Sequence, residues 1–237
     1  MKLKRIVYIL IELVFLVLII ISIIMIYKWF NEKRKVNKEL EQITNKVIIG
    51  KENNKEINFK KLKTINNDTV GWLKINNTNI DYPVVQSKDN SFYLNHSFNK
   101  KQNNAGWIFM DYNNKLDGTD KNIIIYGHNR LDNIMFGTLK ETLDKDWYSN
   151  NDNLKIKFIT QDEEVTYKIF SIYKIKEETY YLKTNFNSIN YLKFINTLKK
   201  RSIHDFDINL NDTKQILTLS TCSGMNNYRL VIHAKKI

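Results

Sequence analysis

The chain has a long apolar run near its start, then a strongly charged stretch, and then short apolar runs separated by polar turn residues. From Ile6 to Tyr27 a single charged residue, Glu12, interrupts an otherwise largely apolar stretch. At a helical rise of about 1.5 Å per residue this stretch is about 33 Å long, which matches the roughly 30 Å hydrocarbon core of a bilayer. No small-residue cleavage motif follows it. The pattern predicts an uncleaved transmembrane anchor over residues 6–27, after a short cytoplasmic segment of residues 1–5.

The sequence after the span is strongly charged and carries one narrow apolar stripe. The stripe recurs at helical spacing and consists of Val36, Leu40, Ile43 and Val47. Such a stripe is typical of a solvated helix that serves as a free stalk or packs against a domain. A polar linker follows at Gly50–Glu56. We therefore expect a helical stalk and linker over residues 28–58 and a catalytic domain over residues 59–237.

The remaining pattern is mainly β with helices. Short runs rich in Ile, Val, Tyr and Phe, separated by Asn, Asp and Gly, predict strands. The predicted strands are Gly71–Ile75, Ile80–Val85, Ala105–Met110, Asn122–Tyr126, Leu154–Ile159, Val165–Lys176, Gln215–Thr221 and Arg229–Ala234. The predicted helical segments are Asn90–Leu94, Met135–Leu143 and Ile189–Lys200. A closed or nearly closed β-barrel decorated with helices is the simplest arrangement of these elements.

Charge and cysteine content narrow the function classes. The net charge of +12 suits an anionic partner, but Lys, Asn and Ile are abundant together, as AT-rich genomes produce on any surface. The chain has no arginine-rich helix or aromatic-basic signature, so nucleic acid is not an expected partner. The single cysteine excludes an internal disulfide and a multi-cysteine metal site. Histidine and carboxylate spacing matches no metal motif, and we expect no metal and no cofactor.

Three residues at strand ends suggest nucleophilic chemistry. Cys222 ends the run QILTLSTC, and His128 directly follows the strand NIIIYG. A thiol needs a nearby imidazole for proton transfer in acyl chemistry. Arg229 opens the last strand and, if the two final strands pair, brings a permanent charge close to the thiol. A buried core cysteine, a surface-turn histidine and a rim arginine are the structural alternatives, and His96, His204 and His233 are expected to be structural or surface residues.

Five segments together resemble the class B sortases of Gram-positive bacteria. They are VGWLKINNTNIDYPVVQSKDNSFYLNHSF, AGWIFMDYNN, NIIIYGHN, MFGTL and LTLSTC, followed by an arginine at the start of a final strand. They occur in family order and span Thr69–Ile237. One departure is the stretch SGMNNY after Cys222, which lacks the acidic residue that many class B members carry just after the cysteine.

The resemblance implies a sortase-like closed β-barrel with an N-terminal helical region and a long helix, here Ile189–Lys200, before the nucleophile strand. It also implies a membrane-anchored cysteine transpeptidase. In this role Cys222 attacks the carbonyl after a threonine of a sorting signal, His128 protonates the leaving amine and Arg229 steadies the oxyanion. An amine of a peptidoglycan precursor then resolves the acyl enzyme. The implied sorting-signal groove comprises Asn90, Leu94, Tyr126, Tyr181, Leu182, Ser220 and Thr221.

This chemistry belongs outside the cell, whereas the charges around the span indicate the opposite orientation. The basic residues before the span are Lys2, Lys4 and Arg5, and those after it are Lys28, Lys33, Arg34, Lys35 and Lys38. By the positive-inside rule this count places the large domain in the cytoplasm. We give the implied chemistry more weight and predict a single-pass membrane protein with an extracellular catalytic domain.

Two other function classes stay open from the residues alone. A papain-like cysteine peptidase also pairs Cys with His, but there the cysteine usually precedes the histidine and an Asn or Asp orients the imidazole. Here the order is reversed, and Arg229 takes the third place. A non-catalytic, membrane-tethered module for anionic wall polymers explains the anchor and the basicity, but it leaves the strand-end Cys, His and Arg unexplained.

Overall fold

A single helix, α1, runs from the predicted membrane span into the folded domain. The computed structural model describes residues 2–50, 56–186, 188–221 and 227–237. α1 extends over Lys2–Val47, and its sequence contains neither proline nor glycine to kink it. An 18-residue window of this helix has a mean hydropathy of 3.3, and none of that window is buried against the rest of the chain. By length and composition, α1 is therefore a candidate membrane span.

The second half of α1 packs against the domain. Val36, Ile43 and Val47 are at most 2% exposed and belong to the main hydrophobic core. They share this core with the short helix α2 (Phe59–Ile65). Two short strands, β1 (Ile48–Ile49) and β2 (Glu56–Ile57), pair antiparallel between the two helices. The apolar stripe of α1 therefore packs against the domain and does not belong to a free stalk. Residues 51–55 of the predicted linker lie outside the described residues.

Eight further strands close into a barrel. They are β3 (Thr69–Ile75), β4 (Asp81–Val85), β5 (Phe109–Met110), β6 (Asn122–Gly127), β7 (Lys155–Ile159), β8 (Glu164–Lys176), β9 (Ile216–Thr221) and β10 (Tyr228–Lys236). Their order around the barrel is β10-β8-β7-β3-β4-β5-β6-β9, and β9 pairs with β10 to complete the closure. Two neighbouring pairs, β4 with β5 and β6 with β9, are parallel, and the others are antiparallel. The predicted closed β-barrel is confirmed.

Helical segments cover the outside of the barrel. After α1 and α2, the described residues form two more α-helices, α3 (Lys145–Tyr148) and α4 (Ser188–Lys200). They also form the 3₁₀ turns Phe92–Leu94, Gly137–Leu143 and Tyr180–Leu182. α4 buries the face that its sequence predicts, namely Tyr191, Phe194, Ile195 and Leu198. This face joins Phe170 of β8 and Val231 of β10 in a second hydrophobic cluster. α4 is thereby fixed to β8 and β10, and β10 is a neighbour of β9.

The predicted strand Ala105–Met110 is wrong over its first four residues. Gly106 has φ = +60°, in the left-handed region that favours glycine and ends an extended run. The backbone N–H of Ala105 donates to Asn103 Oδ1 at 2.9 Å, and that of Trp107 donates to the Tyr93 carbonyl at 2.9 Å. These bonds form a turn instead of a strand ladder. Only Phe109–Met110 pairs as a strand.

Candidate active site

Two parallel strands end side by side at the site. β6 and β9 pair in register from Asn122 with Ile216 to Gly127 with Thr221. Neighbouring strands lie about 4.8 Å apart, so Gly127 and Thr221 reach the same edge of the barrel together. His128 is the residue that follows β6. Cys222, the predicted nucleophile that follows Thr221 in the sequence, lies outside the described residues.

The imidazole of His128 is oriented by a backbone carbonyl. Its Nε2 atom lies 2.7 Å from the carbonyl oxygen of Leu94. A carbonyl oxygen only accepts hydrogen bonds, so Nε2 carries a proton and donates. Nδ1 is then the nitrogen that can take up or release a proton, as in histidine general acid–base chemistry. The turn at Gly106 packs close by, because a Cβ atom at that position would lie 3.0 Å from His128 Cδ2 and 2.6 Å from the Tyr93 carbonyl oxygen.

Arg229 approaches the same edge from the other side of β9. It lies on β10, whose residue Val231 pairs with Ser220 of β9, so the adjacency of the two final strands is confirmed. Its guanidinium forms an ion pair with Glu177, which follows β8. The side chain of Arg229 is 14% exposed and that of Glu177 53% exposed. Glu177 was not expected from the sequence, although it stands directly after a predicted strand.

One cavity brings the described parts together. It has a volume of about 390 Å³. Its lining residues are Asn90, Leu94, Phe109, Tyr126, His128, Glu177, Leu182 and Arg229. A cleft of about 510 Å³ lies between α1 and residues 97–104, but no histidine lines it. The smaller cavity combines a proton-transfer group, a fixed cation, amide and hydroxyl groups and apolar surface, which suits a peptide that reacts at a carbonyl.

Comparison with known proteins identifies the family. The Sortase domain profile matches residues 73–237. Two curated relatives are named Sortase B. The one from Listeria monocytogenes is 37% identical, and the match covers 74% of this chain and 72% of that protein. The one from Staphylococcus aureus is 32% identical, and the match covers 100% of this chain and 99% of that protein. The chain belongs to the class B sortases. It is therefore a sortase-type cysteine transpeptidase, and the resemblance seen in its sequence is confirmed.

The fold agrees with a solved sortase B. The structure of sortase B from Bacillus anthracis in complex with AAEK1 superposes with a TM-score of 0.77 at 33% identity, covering 88% of this chain and 99% of that one. The overlap extends beyond residues 73–237, because 88% of the chain is more than the domain profile matches. The eight-stranded barrel of this sortase is thus the fold of its class.

A buried carboxylate that the sequence analysis missed organises one wall of the cavity. Asp111 is 3% exposed. Its Oδ2 atom accepts from the Asn90 amide at 2.9 Å and from the Tyr126 hydroxyl at 2.8 Å. Burial, reinforced by the negative charge of Asp111, raises the pKa of Tyr126 far above its ordinary value, so this hydroxyl stays neutral and donates. The same carboxylate thereby orients two predicted groove residues of this sortase.

Three other predicted groove residues lie behind the cavity instead of in its lining. Tyr181, Ser220 and Thr221 are each at most 1% exposed. The hydroxyl groups of Tyr181 and Ser220 are 3.0 Å apart and share a hydrogen bond. Thr221 Oγ1 accepts from the backbone N–H of Leu230 at 2.9 Å, which links the end of β9 to β10. In the described part of this sortase these residues support the wall that carries Arg229.

His233 is a structural histidine, as expected. It is fully buried, and burial lowers its pKa from 6.5 to about 3. The hydroxyl of Thr218 donates to Asn122 Oδ1 at 2.6 Å, so it accepts from His233 Nδ1 at 2.8 Å. His233 Nε2 then accepts from the Tyr173 hydroxyl at 2.8 Å. The neutral imidazole is satisfied on both sides and ties β10 to β8 and β9.

The described residues contain no grouping suited to a metal ion. Among them, no three His, Cys, Asp or Glu side chains lie together in such an arrangement. His96 stacks on Phe92, and His204 stacks on Tyr148, so both have packing roles at the surface. Of the four histidines of this sortase, His128 alone lines the cavity that also holds Arg229.

Proposed function

We propose that this sortase is anchored in the membrane by residues 6–27 and acts outside the cell. It cleaves a C-terminal sorting signal after a threonine and transfers the new carboxyl end to an amine of a peptidoglycan precursor. The observation that carries the proposal is the shared strand edge, where β6 delivers His128, β9 ends one residue before Cys222 in the sequence, and β10 supplies Arg229. Each of the three proposed catalytic residues is thus supplied by a different strand.

The first half of the proposed reaction forms a thioester. The Cys222 thiolate attacks the carbonyl carbon, and the carbonyl oxygen takes up negative charge that the Arg229 guanidinium stabilises. The C–N bond then breaks, and protonated His128 gives its Nδ1 proton to the departing amine. We assign this proton to Nδ1 because Nε2 donates to the Leu94 carbonyl at 2.7 Å. In this way His128 transfers a proton without losing the bond that orients its ring.

The second half restores the free enzyme. The acceptor amine attacks the thioester, His128 takes its proton, and the Cys222 thiolate leaves. Asn90 and Tyr126, which Asp111 holds in place, offer polar groups for the peptide backbone. Leu94 and Leu182 line the same cavity with apolar surface for a side chain of the signal. Tyr181, Ser220 and Thr221 support this groove from behind.

The test uses the full chain with a library of fluorogenic sorting peptides, with and without an added amine. We expect a ligated product whenever amine is present, and no cleavage from Cys222→Ala with an unchanged circular dichroism spectrum. Hydrolysis that ignores the amine would instead identify a cysteine peptidase. Binding of anionic wall polymer without any cleavage would identify the tethered binding module. Turnover by Cys222→Ala would refute the mechanism.

The orientation requires its own test because the charge count opposes it. Protease added to intact protoplasts should digest the domain of residues 59–237 if that domain is outside. Lysed protoplasts provide the control for protease activity. Protection in intact cells that disappears on lysis would show that the positive-inside count was right.

A further inference from the structure

A tight hairpin begins at His128 and projects from the barrel. The carbonyl of His128 accepts from the backbone N–H of Phe136 at 3.0 Å, and Asn129 bridges Met135 antiparallel. At the tip the carbonyl of Arg130 accepts from the backbone N–H of Asn133 at 3.3 Å, which closes a four-residue turn. Leu131 occupies this turn. The catalytic histidine and the hairpin tip are thus only three residues apart in a hydrogen-bonded frame.

α1 holds this hairpin through a chain of charged groups. Arg130 lies 3.5 Å from Glu32 of α1 and 2.7 Å from Asp132 of the turn. The Asp132 side chain is 1% exposed and that of Arg130 is 12% exposed. Glu32 also accepts from the Asn104 amide at 3.0 Å. Because these pairs are largely shielded from water, they are screened by salt much less than surface pairs, and they fix the hairpin beside one turn of α1.

The contact turn of α1 lies at the level of lipid headgroups. Glu32 follows Tyr27, the last residue of the span, by five residues, or about 7.5 Å along a straight helix. The headgroup layer on each side of the hydrocarbon core is about 5–7.5 Å thick, so Glu32 lies at its outer edge. Trp29, which is 36% exposed, stands between these two positions, and Trp and Tyr side chains of membrane proteins concentrate at this interface.

Leu131 stands out at this level. It is 86% exposed, although it lies in a turn whose neighbouring residues Arg130 and Asp132 are mostly buried. A single exposed leucine is ordinary on a soluble surface. Here, however, the turn beside it is fixed to the first helical turns beyond an apolar span, and the adjoining α1 sequence supplies Lys33 and Arg34 for anionic headgroups.

We propose that the hairpin of residues 129–135 rests on the bilayer that α1 crosses, with Leu131 inserted in the headgroup layer. This inference depends on the membrane anchor stated under the proposed function. It adds a second membrane contact, and this contact fixes the height and tilt of His128 above the lipid. The partner is an anionic lipid surface, and the reaction takes place in a cavity that opens close to it.

The test places one fluorescent label at a time on the full chain. Cys222 is the single cysteine, so Cys222→Ala provides a background for Leu131→Cys, Ile189→Cys and Val14→Cys. Each variant carries a nitrobenzoxadiazole label and is reconstituted into phosphatidylcholine–phosphatidylglycerol vesicles. The readouts are the blue shift of the emission and its quenching by lipid that is spin-labelled at the headgroup.

Ile189 is the matched control, because it is also 86% exposed but lies at the other end of the barrel. Its neighbour on α4, Tyr191, donates to the carbonyl of Lys121 at 3.0 Å. Lys121 precedes β6 and His128 follows it, so the two ends are about 20 Å apart. Val14, in the middle of the predicted span, reports on the anchor itself.

We expect blue-shifted emission at positions 131 and 14 and aqueous emission at position 189. The headgroup spin label should quench position 131 strongly and position 14 only weakly, because Val14 lies about 12 Å or more from either end of the predicted span. An aqueous spectrum at position 131 with a buried label at position 14 would overturn the hairpin contact while leaving the anchor intact. An aqueous spectrum at position 14 would remove the anchor and this inference with it. Equal quenching at positions 131 and 189 would show unspecific contact of the domain with lipid, which also overturns the proposal.

Discussion

Asp111→Asn should disorder one wall of the candidate cavity that His128 and Arg229 line. Oδ2 of Asp111 accepts from Asn90 at 2.9 Å and from Tyr126 at 2.8 Å, and Oδ1 accepts from the backbone and side-chain N–H groups of Asn113 at 2.8 and 3.0 Å. Four donors therefore converge on the two carboxylate oxygens. An asparagine amide has one oxygen and one NH₂ group. In either orientation its NH₂ group therefore replaces an oxygen that accepts two hydrogen bonds, and it faces two N–H or O–H donors.

The cost follows from these lost bonds. A buried hydrogen bond to a charged group contributes about 1.5–3 kcal/mol, so two lost bonds set an upper range of about 3–6 kcal/mol. The Tyr126 hydroxyl can rotate and accept from the new amide. We therefore expect the free energy of unfolding to fall by about 3 kcal/mol. Displacement of Asn90 and Tyr126 should also lower kcat/KM for the sorting peptide by roughly tenfold to a hundredfold.

Urea unfolding and peptide cleavage measure the two effects separately, and Asp120→Asn is the matched control. Asp120 is 2% exposed, and its Oδ2 accepts from the backbone N–H groups of Lys115 and Leu116 at 2.7 and 2.9 Å. It precedes β6, at the end away from His128. Both variants should lose stability, but Asp111→Asn alone should lose kcat/KM. Equal kinetic losses in the two variants, or none in Asp111→Asn, would refute a positioning role.

Three further predictions concern the neighbouring groups. Arg229→Lys should lower kcat by about a hundredfold to a thousandfold with little change in thermal stability, because a lysine lacks the planar pair of donors. The pKa of His233 is about 3 in the folded chain, below its ordinary value of 6.5. As the pH is lowered, the unfolded chain therefore binds a proton before the folded chain does. The free energy of unfolding should fall by up to about 1.4 kcal/mol per pH unit between about pH 6.5 and pH 3. Gly106→Ala should destabilise the fold by about 1–2 kcal/mol and reduce kcat, since its backbone is left-handed and its Cβ would crowd His128.

Each of these has a distinguishing control. Wild-type kcat in Arg229→Lys, or an unfolded variant, would remove Arg229 from the oxyanion role. In urea titrations His233→Gln should lose the acid-dependent slope, whereas the exposed His204→Gln should keep it. Gly118 also has a positive φ, of +82°, but nothing lies within 4 Å of a Cβ placed there. Gly118→Ala should therefore lose stability without losing kcat, and the same kinetic loss in both glycine variants would contradict crowding at His128.

The local sequence pattern was sufficient to predict most of the fold. Short runs rich in Ile, Val, Tyr and Phe between Asn, Asp and Gly turns predicted a segment at each of the eight barrel strands, and the apolar face of α4 follows from its own spacing. The error at Ala105–Met110 arose because Gly106 takes a left-handed turn that its apolar neighbours conceal. The packing of α1 was left open, since an apolar stripe does not say what covers it. That answer depends on residues far away in sequence.

The candidate site was predictable to a similar degree. His128 was predicted as a site residue because it directly follows an apolar strand. Asp111, after Ile-Phe-Met, and Glu177, after the long strand β8, have the same position relative to a strand. Carboxylates commonly end strands for reasons of solubility, so this position alone does not mark a carboxylate as functional. Their partners, Tyr126 and Arg229, are 15 and 52 residues away. Only closure of the barrel brings these groups together.

The parallel pairing of β6 with β9 has a consequence for biogenesis. About ninety residues separate the two strands along the chain, and β10 must insert between β8 and β9 to complete the ring. Pairing over such a separation is slow, because the entropy of closing a long loop is lost before the contacts form. A chain that has emerged only as far as α4 therefore has neither the strand that leads to Cys222 nor Arg229. If Cys222 and Arg229 have the roles proposed above, the site is assembled last, and an incomplete chain has no transpeptidase activity.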